Sequence, residues 1–152
     1  MQILPNLVYN DVTYTLDIKD LGGQEDLKNI RLEAYKGTDV IVLCYSLDEA
    51  ASVDCLVTMW LEEIAQAGLE APKLLIGCKS DIEKKSVHDK CTELIKTSQR
   101  FSEAQHLKCS AKQGENITDV FYEIIPTHLN RDEIMETQKP KAKWGLYNPC
   151  AQ

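Results

Sequence analysis

The chain has 152 residues, 43% of them hydrophobic, with a formal net charge of −7. That is the length of one ordinary domain with enough apolar residues for a core, and the acidic balance excludes bulk binding to nucleic acid, which needs a basic face. No run of about 18 apolar residues exists to form a transmembrane helix, and Met1-Gln2-Ile3-Leu4-Pro5 lacks the basic and apolar regions of a secretory signal.

In chain order, Val12, Tyr14, Leu16 and Ile18 alternate with Thr13, Thr15, Asp17 and Lys19, which predicts a strand over 12–19 with one wetter face. The stretch 3–9 is its expected hairpin partner, with Asn10-Asp11 at the turn and Pro5 marking a sheet edge. Residues 20–25 read Asp20-Leu21-Gly22-Gly23-Gln24-Glu25, and 25–36 predict a short or irregular helix closed by Gly37. The continuous apolar run within 39–46 fits a strand covered on both faces. Val53, Leu56, Val57, Trp60, Leu61 and Ile64 keep helical spacing, with Gly68 as the cap.

Leu74-Leu75-Ile76-Gly77-Cys78 predicts a second buried strand, ending at Lys79-Ser80-Asp81. Val87, Cys91, Leu94 and Ile95 mark a further helix. Residues 106–109 predict a short strand before Ser110-Ala111-Lys112. Ile117, Val120, Phe121, Ile124 and Ile125 mark the last helix, which Pro126 should kink or end. The alternation gives an α/β class with a mostly parallel sheet. Residues 131–152 lack periodicity and predict a C-terminal tail that is mobile or lies along the surface.

The six cysteines form no Cys-x-x-Cys pair and fall in apolar strands and helices, so reduced, mostly buried thiols are expected rather than a disulfide framework. His88, His106 and His128 are too far apart for a metal-ligand pattern and read as surface or boundary residues.

Ligands of such sheets bind outside the carboxyl ends of the strands. Three polar clusters fall there in order: 20–25, 78–81 and 110–112. In the first, a carboxylate can reach a cation, the glycines let backbone N–H groups approach phosphate oxygens, and the glutamine amide can orient a water. Singly, each has a plainer alternative. Asp20 could cap the following helix, Asp81 a turn, and Gly22-Gly23 could be a turn alone.

Together the clusters resemble a small GTPase of the Ras superfamily, closest to its Rho branch, over roughly residues 8–129. Residues 20–25 resemble the Asp-x-x-Gly-Gln-Glu switch motif, Cys78-Lys79-Ser80-Asp81 resembles Asn-Lys-x-Asp, and Ser110-Ala111-Lys112 resembles the Ser-Ala-Lys loop. The stretch 38–46 and the placement of Trp60 are Rho-like. The resemblance implies GTP or GDP and Mg²⁺ as cofactors. Asp20 would hold Mg²⁺ through water, the Gly23 N–H would meet the γ-phosphate, and Gln24 would be the catalytic residue that orients the attacking water. Asp81 would accept the guanine N–H groups, with Cys78, Lys79, Ser110, Ala111 and Lys112 completing the base site. Effectors, exchange factors and GTPase-activating proteins would be the partners, meeting residues 20–37. The implied location is cytoplasmic, with peripheral association at the inner membrane face as a further option.

The chain also departs from the pattern. No Gly-x-x-x-x-Gly-Lys-[Ser/Thr] occurs in the 152 residues, and the switch threonine expected before the hairpin is absent too. The expectation is an incomplete domain over 1–130, followed by the tail 131–152. In this family's sheet the first strand separates the strands at 12–19 and 39–46. Its loss would orphan two rows of backbone groups, each buried orphan costing about 1–3 kcal/mol against a stability of roughly 5–15 kcal/mol. The chain should therefore be unstable, or pair those two strands directly. Cys78 replaces an asparagine amide with a weak thiol donor. Between Asp81 and Cys109 there is little room for the helical insertion usual in Rho proteins. Cys150-Ala151-Gln152 is not a prenylation box, and Lys139, Lys141 and Lys143 form only a weak basic cluster. Two functions follow. One is a guanine-nucleotide switch seen as an incomplete chain, with Gln24 arguing for hydrolysis. The other is a pseudo-GTPase acting as a protein-interaction module, inactive for want of the phosphate loop.

Overall fold

The chain enters through a short edge strand, β1 (Gln2–Ile3), and a tight hairpin of β2 (Leu7–Tyr9) and β3 (Val12–Tyr14). Its turn is Asn10-Asp11, both at positive φ, 49° and 62°. Asparagine and aspartate tolerate that conformation best among residues with a side chain, and it matches the twist of the flanking strands. The computed structural model describes residues 2–3, 6–101, 104–132 and 143–147. The strand expected over 12–19 is broken in two. β3 ends at Tyr14, and β4 (Asp17–Leu21) continues after Thr15 and Leu16 and pairs antiparallel with β1.

A 3₁₀ turn at Glu25–Leu27 leads into α1 (Lys28–Tyr35), and Gly37 at φ +68° turns the chain into β5 (Val40–Ser46). All seven β5 residues are buried, as expected of a strand covered on both faces. The long helix splits into α2 (Ala50–Cys55), a π-helical stretch Leu56–Leu61, and α3 (Glu62–Gln66). Gly68 at φ +64° closes it, its N–H donating to the Ala65 carbonyl. β6 (Lys73–Cys78), α4 (Lys85–Thr97), β7 (Gln105–Lys108) and α5 (Ile117–Asp132) follow. Pro126 does not end α5, which runs on for six more residues. Tyr122, four residues back, is exposed, so the carbonyl that loses its helical partner is within reach of water.

The main sheet has the order β1-β4-β8-β5-β6-β7, where β8 is Lys143–Tyr147. From β4 to β7 every pairing is parallel. The strands at 12–19 and 39–46, for which direct pairing was one expected outcome, do not pair with each other. Residues 143–147, expected in a surface tail, lie between those strands instead. Main-chain groups that nothing else nearby could satisfy favour any strand able to reach them.

Two cores flank the sheet. Leu21, Ile41, Leu43 and Leu75 pack beneath α2, the π-helical stretch and α3 with Trp60. Leu16, Ile18, Val40, Val42 and Leu74 pack against α5 through Val120 and Ile124. Cys44, Cys91 and Cys109 are buried, Cys55 and Cys78 are partly so, and all five are free thiols. No helix of the described residues is long and apolar enough to cross a membrane.

Candidate guanine-nucleotide site

The three polar clusters of the sequence all emerge at the carboxyl ends of the parallel strands, after β4, β6 and β7. The tightest contacts lie on the β6–β7 side. The Ser110 hydroxyl, fully buried, donates to Asp81 Oδ1 at 2.6 Å, and Lys112 Nζ stands 3.8 Å from Oδ2. The hydrogen bond from Ser110, aided by the Lys112 charge, holds the Asp81 carboxyl below the usual carboxylate range. Asp81 is thus an ionised acceptor with a fixed direction. The loop after β7 is braced by paired backbone bonds between Ser110 and Glu115, both 3.0 Å, and by the Gln113 N–H on Ser110 Oγ. Ala111 and Lys112 are exposed on it.

Lys79 is held in the left-handed conformation, φ 61° and ψ 47°, between β6 and the 3₁₀ turn Ser80–Ile82. Its ammonium reaches Asp48 Oδ1 at 3.2 Å, and Asp48 also accepts the Ser46 hydroxyl. Those two contacts, the hydroxyl first, lower the Asp48 pKa. Asp48 was not singled out in the sequence. Its place two residues beyond a buried strand, at the ligand end of the sheet, is the signal that could have found it. Cys78 and Cys109 follow a matched register pair, Gly77 and Lys108, and their thiols hydrogen-bond each other. That contact and burial push the Cys109 thiol far above its ordinary pKa. The thiol at position 78 is therefore engaged within the protein.

On the β4 side, Asp20 is exposed as the penultimate residue of the strand, and Gln24 is exposed beyond it. Gly23 lies on the Trp60 indole, where a Cβ would come within 3.4 Å of Cζ2. The loop is held from beneath by residues the sequence reading missed. Buried Arg31 donates through Nη1 to the Gly22 carbonyl at 2.9 Å and to the Gln24 carbonyl at 2.5 Å. The same guanidinium makes a two-pronged pair with Glu63, Nε to Oε1 and Nη2 to Oε2, both 2.8 Å. The Tyr35 hydroxyl also donates to Glu63, and Arg31 Cζ lies 5.5 Å from the Trp60 ring centroid. A signal existed: Glu63 follows Trp60 by three and Leu56 by seven, so a carboxylate falls on the apolar stripe of its helix.

The chain-to-family comparison agrees with this geometry. A model of the Ras family matches residues 3–130. The chain belongs to the Ras family. It is 30% identical over 135 residues to the GTP-binding protein RHO1 of Candida albicans, covering 82% of this chain and 68% of that protein. It is 31% identical over 136 residues to the Rho-related GTP-binding protein RhoF of Bos taurus, 82% and 63%. Against the GTP-binding protein rho5 of Schizosaccharomyces pombe it is 34% identical over 121 residues, 70% and 58%. This Ras-family chain is therefore close to Rho proteins. It spans 58% to 68% of the length of these relatives.

The residues present fit a guanine base better than a metal-bound phosphate. Asp81, Ser110 and Lys112 form a connected, ionised acceptor site, with the Lys79–Asp48 pair near it. For Mg²⁺ only Asp20 is in place at the end of β4. Among the described residues no group of three or more His, Cys, Asp or Glu could hold a metal ion. Mg²⁺ at phosphate sites needs only one or two carboxylates, the rest of its shell being phosphate and water. Asp20 can therefore serve as one ligand but does not by itself make a Mg²⁺ site.

Proposed function

We propose that these 152 residues form a Rho-like domain that recognises guanine nucleotides weakly, does not hydrolyse GTP, and acts as a protein-interaction module. The Asp81–Ser110 hydrogen bond carries the first part. A carboxylate kept ionised and aimed accepts from two N–H groups of guanine. Adenine, which lacks that pair of donors, would leave it unpaired in the complex. The absence of a Gly-x-x-x-x-Gly-Lys-[Ser/Thr] loop from the sequence supports the second part, because that loop supplies the phosphate cradle and the metal's hydroxyl ligand. Arg31 and Glu63 support the third. They tie the Gly22–Gln24 backbone to a buried ion pair, which favours a defined shape for the surface of residues 20–37.

A second reading rests on Gln24 and Asp20, which match by resemblance the family's water-orienting glutamine and metal-binding aspartate. In it, the domain is a hydrolytic switch once a phosphate loop is supplied by further sequence. Titration of the purified chain with fluorescent GDP, GTP and ADP, with and without Mg²⁺, separates the two. The proposal expects guanine selectivity, weak affinity, little response to Mg²⁺ and no phosphate release. Stoichiometric GDP retained through purification, or measurable GTP turnover by this chain, would overturn it.

A further inference from the structure

β4 and β5 run parallel and are joined through α1, yet they are not neighbours. Adjacent strands lie about 4.8 Å apart, so the gap between these two is one strand wide. Each side of it presents a row of main-chain donors and acceptors. Lys143–Tyr147 fills it, parallel to both sides. Asp17, Ile18, Lys19, Asp20 and Leu21 pair in order with 143–147, and Val40, Ile41, Val42 and Leu43 with 144–147.

The segment comes from the far end of the chain, beyond α5. A parallel connection needs a dozen or more residues, and α5 with the residues after it supplies them between β7 and β8. The five-residue sequence suits a central strand. Position 144, a tryptophan, registers with Ile18 and Val40, and position 146, a leucine, with Asp20 and Val42; Ile18, Val40 and Val42 belong to the core on the α5 side. Position 145, a glycine, registers with Lys19 and Ile41 on the opposite face.

We propose that the gap between β4 and β5 is a strand-acceptor site and that its occupant is this chain's own Lys143–Tyr147. The ligand class is an extended parallel segment, apolar at its second and fourth positions and bound through main-chain hydrogen bonds along both edges. Recognition is thus mostly by backbone, and the order of elements along the chain is free to differ from their order in the sheet. Tyr147 registers with Leu21 and Leu43, so the strand's carboxyl end meets the end of the sheet that holds Asp20 and Gly22–Gln24.

Hydrogen exchange on the full chain tests the assignment. Amides of 143–147 should exchange on the order of a thousandfold slower than in the free peptide, in step with β5 and at all protein concentrations. Free-peptide rates at 143–147 with β5 still protected would overturn it. Protection that appears only where the chain is dimeric would make a second copy the occupant and overturn it too. In a second arm, Leu146→Pro in the full chain removes a ladder N–H at the centre of the sheet. The variant should lose its cooperative melt. A peptide of residues 139–152 added during refolding should restore it, and the same peptide carrying L146P should not. A variant that melts at the wild-type temperature, or one that the native peptide fails to rescue, would refute the acceptor site. Neither arm reads nucleotide binding, so the outcome is independent of the proposed function.

Discussion

The two ends of the ligand-facing rim are held by different means. On the β6–β7 side, short polar side chains at successive strand ends bond to one another: Ser110 to Asp81, Ser80 to Glu115, Lys79 to Asp48. On the β4 side, exposed Asp20 is the penultimate residue of its strand, and exposed Gln24 stands on a loop whose shape is set from below by Arg31 and Glu63, both buried. The first arrangement is local and polar, and single changes in it should alter recognition more than folding. The second is a desolvated ion pair, and breaking it should cost the fold.

Glu63→Ala offers the largest test of that contrast. It leaves the Arg31 guanidinium buried without its carboxylate, which should cost about 3–5 kcal/mol in urea or thermal unfolding. The double change Arg31→Met with Glu63→Leu should recover most of that loss, because no charge remains buried. A single variant within about 1 kcal/mol of wild type would show the pair to be dispensable.

Gly77→Ala tests the packing beneath the base side. A Cβ there would meet Tyr45 Oη at 3.0 Å and Leu47 at 3.1 Å. We expect about 1–3 kcal/mol of destabilisation from overpacking, read as a lowered denaturation midpoint. Asp81→Asn, whose amide oxygen can still accept the Ser110 hydroxyl, should leave the melt nearly unchanged while lowering guanine-over-adenine preference about ten- to a hundredfold in competition titrations, the worth of one or two charged hydrogen bonds. Equal loss of both nucleotides would place recognition elsewhere.

A smaller effect is expected from pH. His106 Nε2 and the Tyr45 hydroxyl are hydrogen-bonded at 2.9 Å, and the imidazole stacks on His88 at 6.1 Å between centroids. Burial, then the neighbouring His88 and Lys108 charges, lowers its pKa to about 4, with Glu83 opposing. The folded state therefore binds this proton less readily than the unfolded chain, whose histidine titrates near 6.5. Its contribution is fully present above pH 6.5 and is lost as pH falls toward 4. With allowance for its partial exposure, stability should fall by about 1–2 kcal/mol across that window. His106→Phe should flatten the window in a pH series of melts, whereas Asp48 and Asp81, both with lowered pKa values, act further into acid.

Much of the fold was legible because its signals are local. The apolar run in β5, the stripe from Val53 to Ile64, the Asn10-Asp11 turn and the three clusters at strand ends each reflect short-range geometry. The break between β3 and β4 and the continuation of α5 through Pro126 were not legible, since neighbours outside those segments decide them.

The positions of the clusters after β6 and β7 were equally readable, because each follows directly from its own strand. The anchors of the switch loop were not. Arg31 and Glu63 are 32 positions apart, and a charged residue on an apolar stripe becomes interpretable only when its partner is known.

By itself the sequence determined the α/β class, the family and the three polar clusters at strand ends, because period, turn chemistry and short motifs act within a few residues. Tertiary structure alone decided which strand stands at the centre of the sheet. Lys143–Tyr147 is too short to announce its place, and main-chain groups on β4 and β5 carry no side-chain signature of the partner they need. Their pairing is a demand of the folded sheet, met by whichever segment the chain can bring to it.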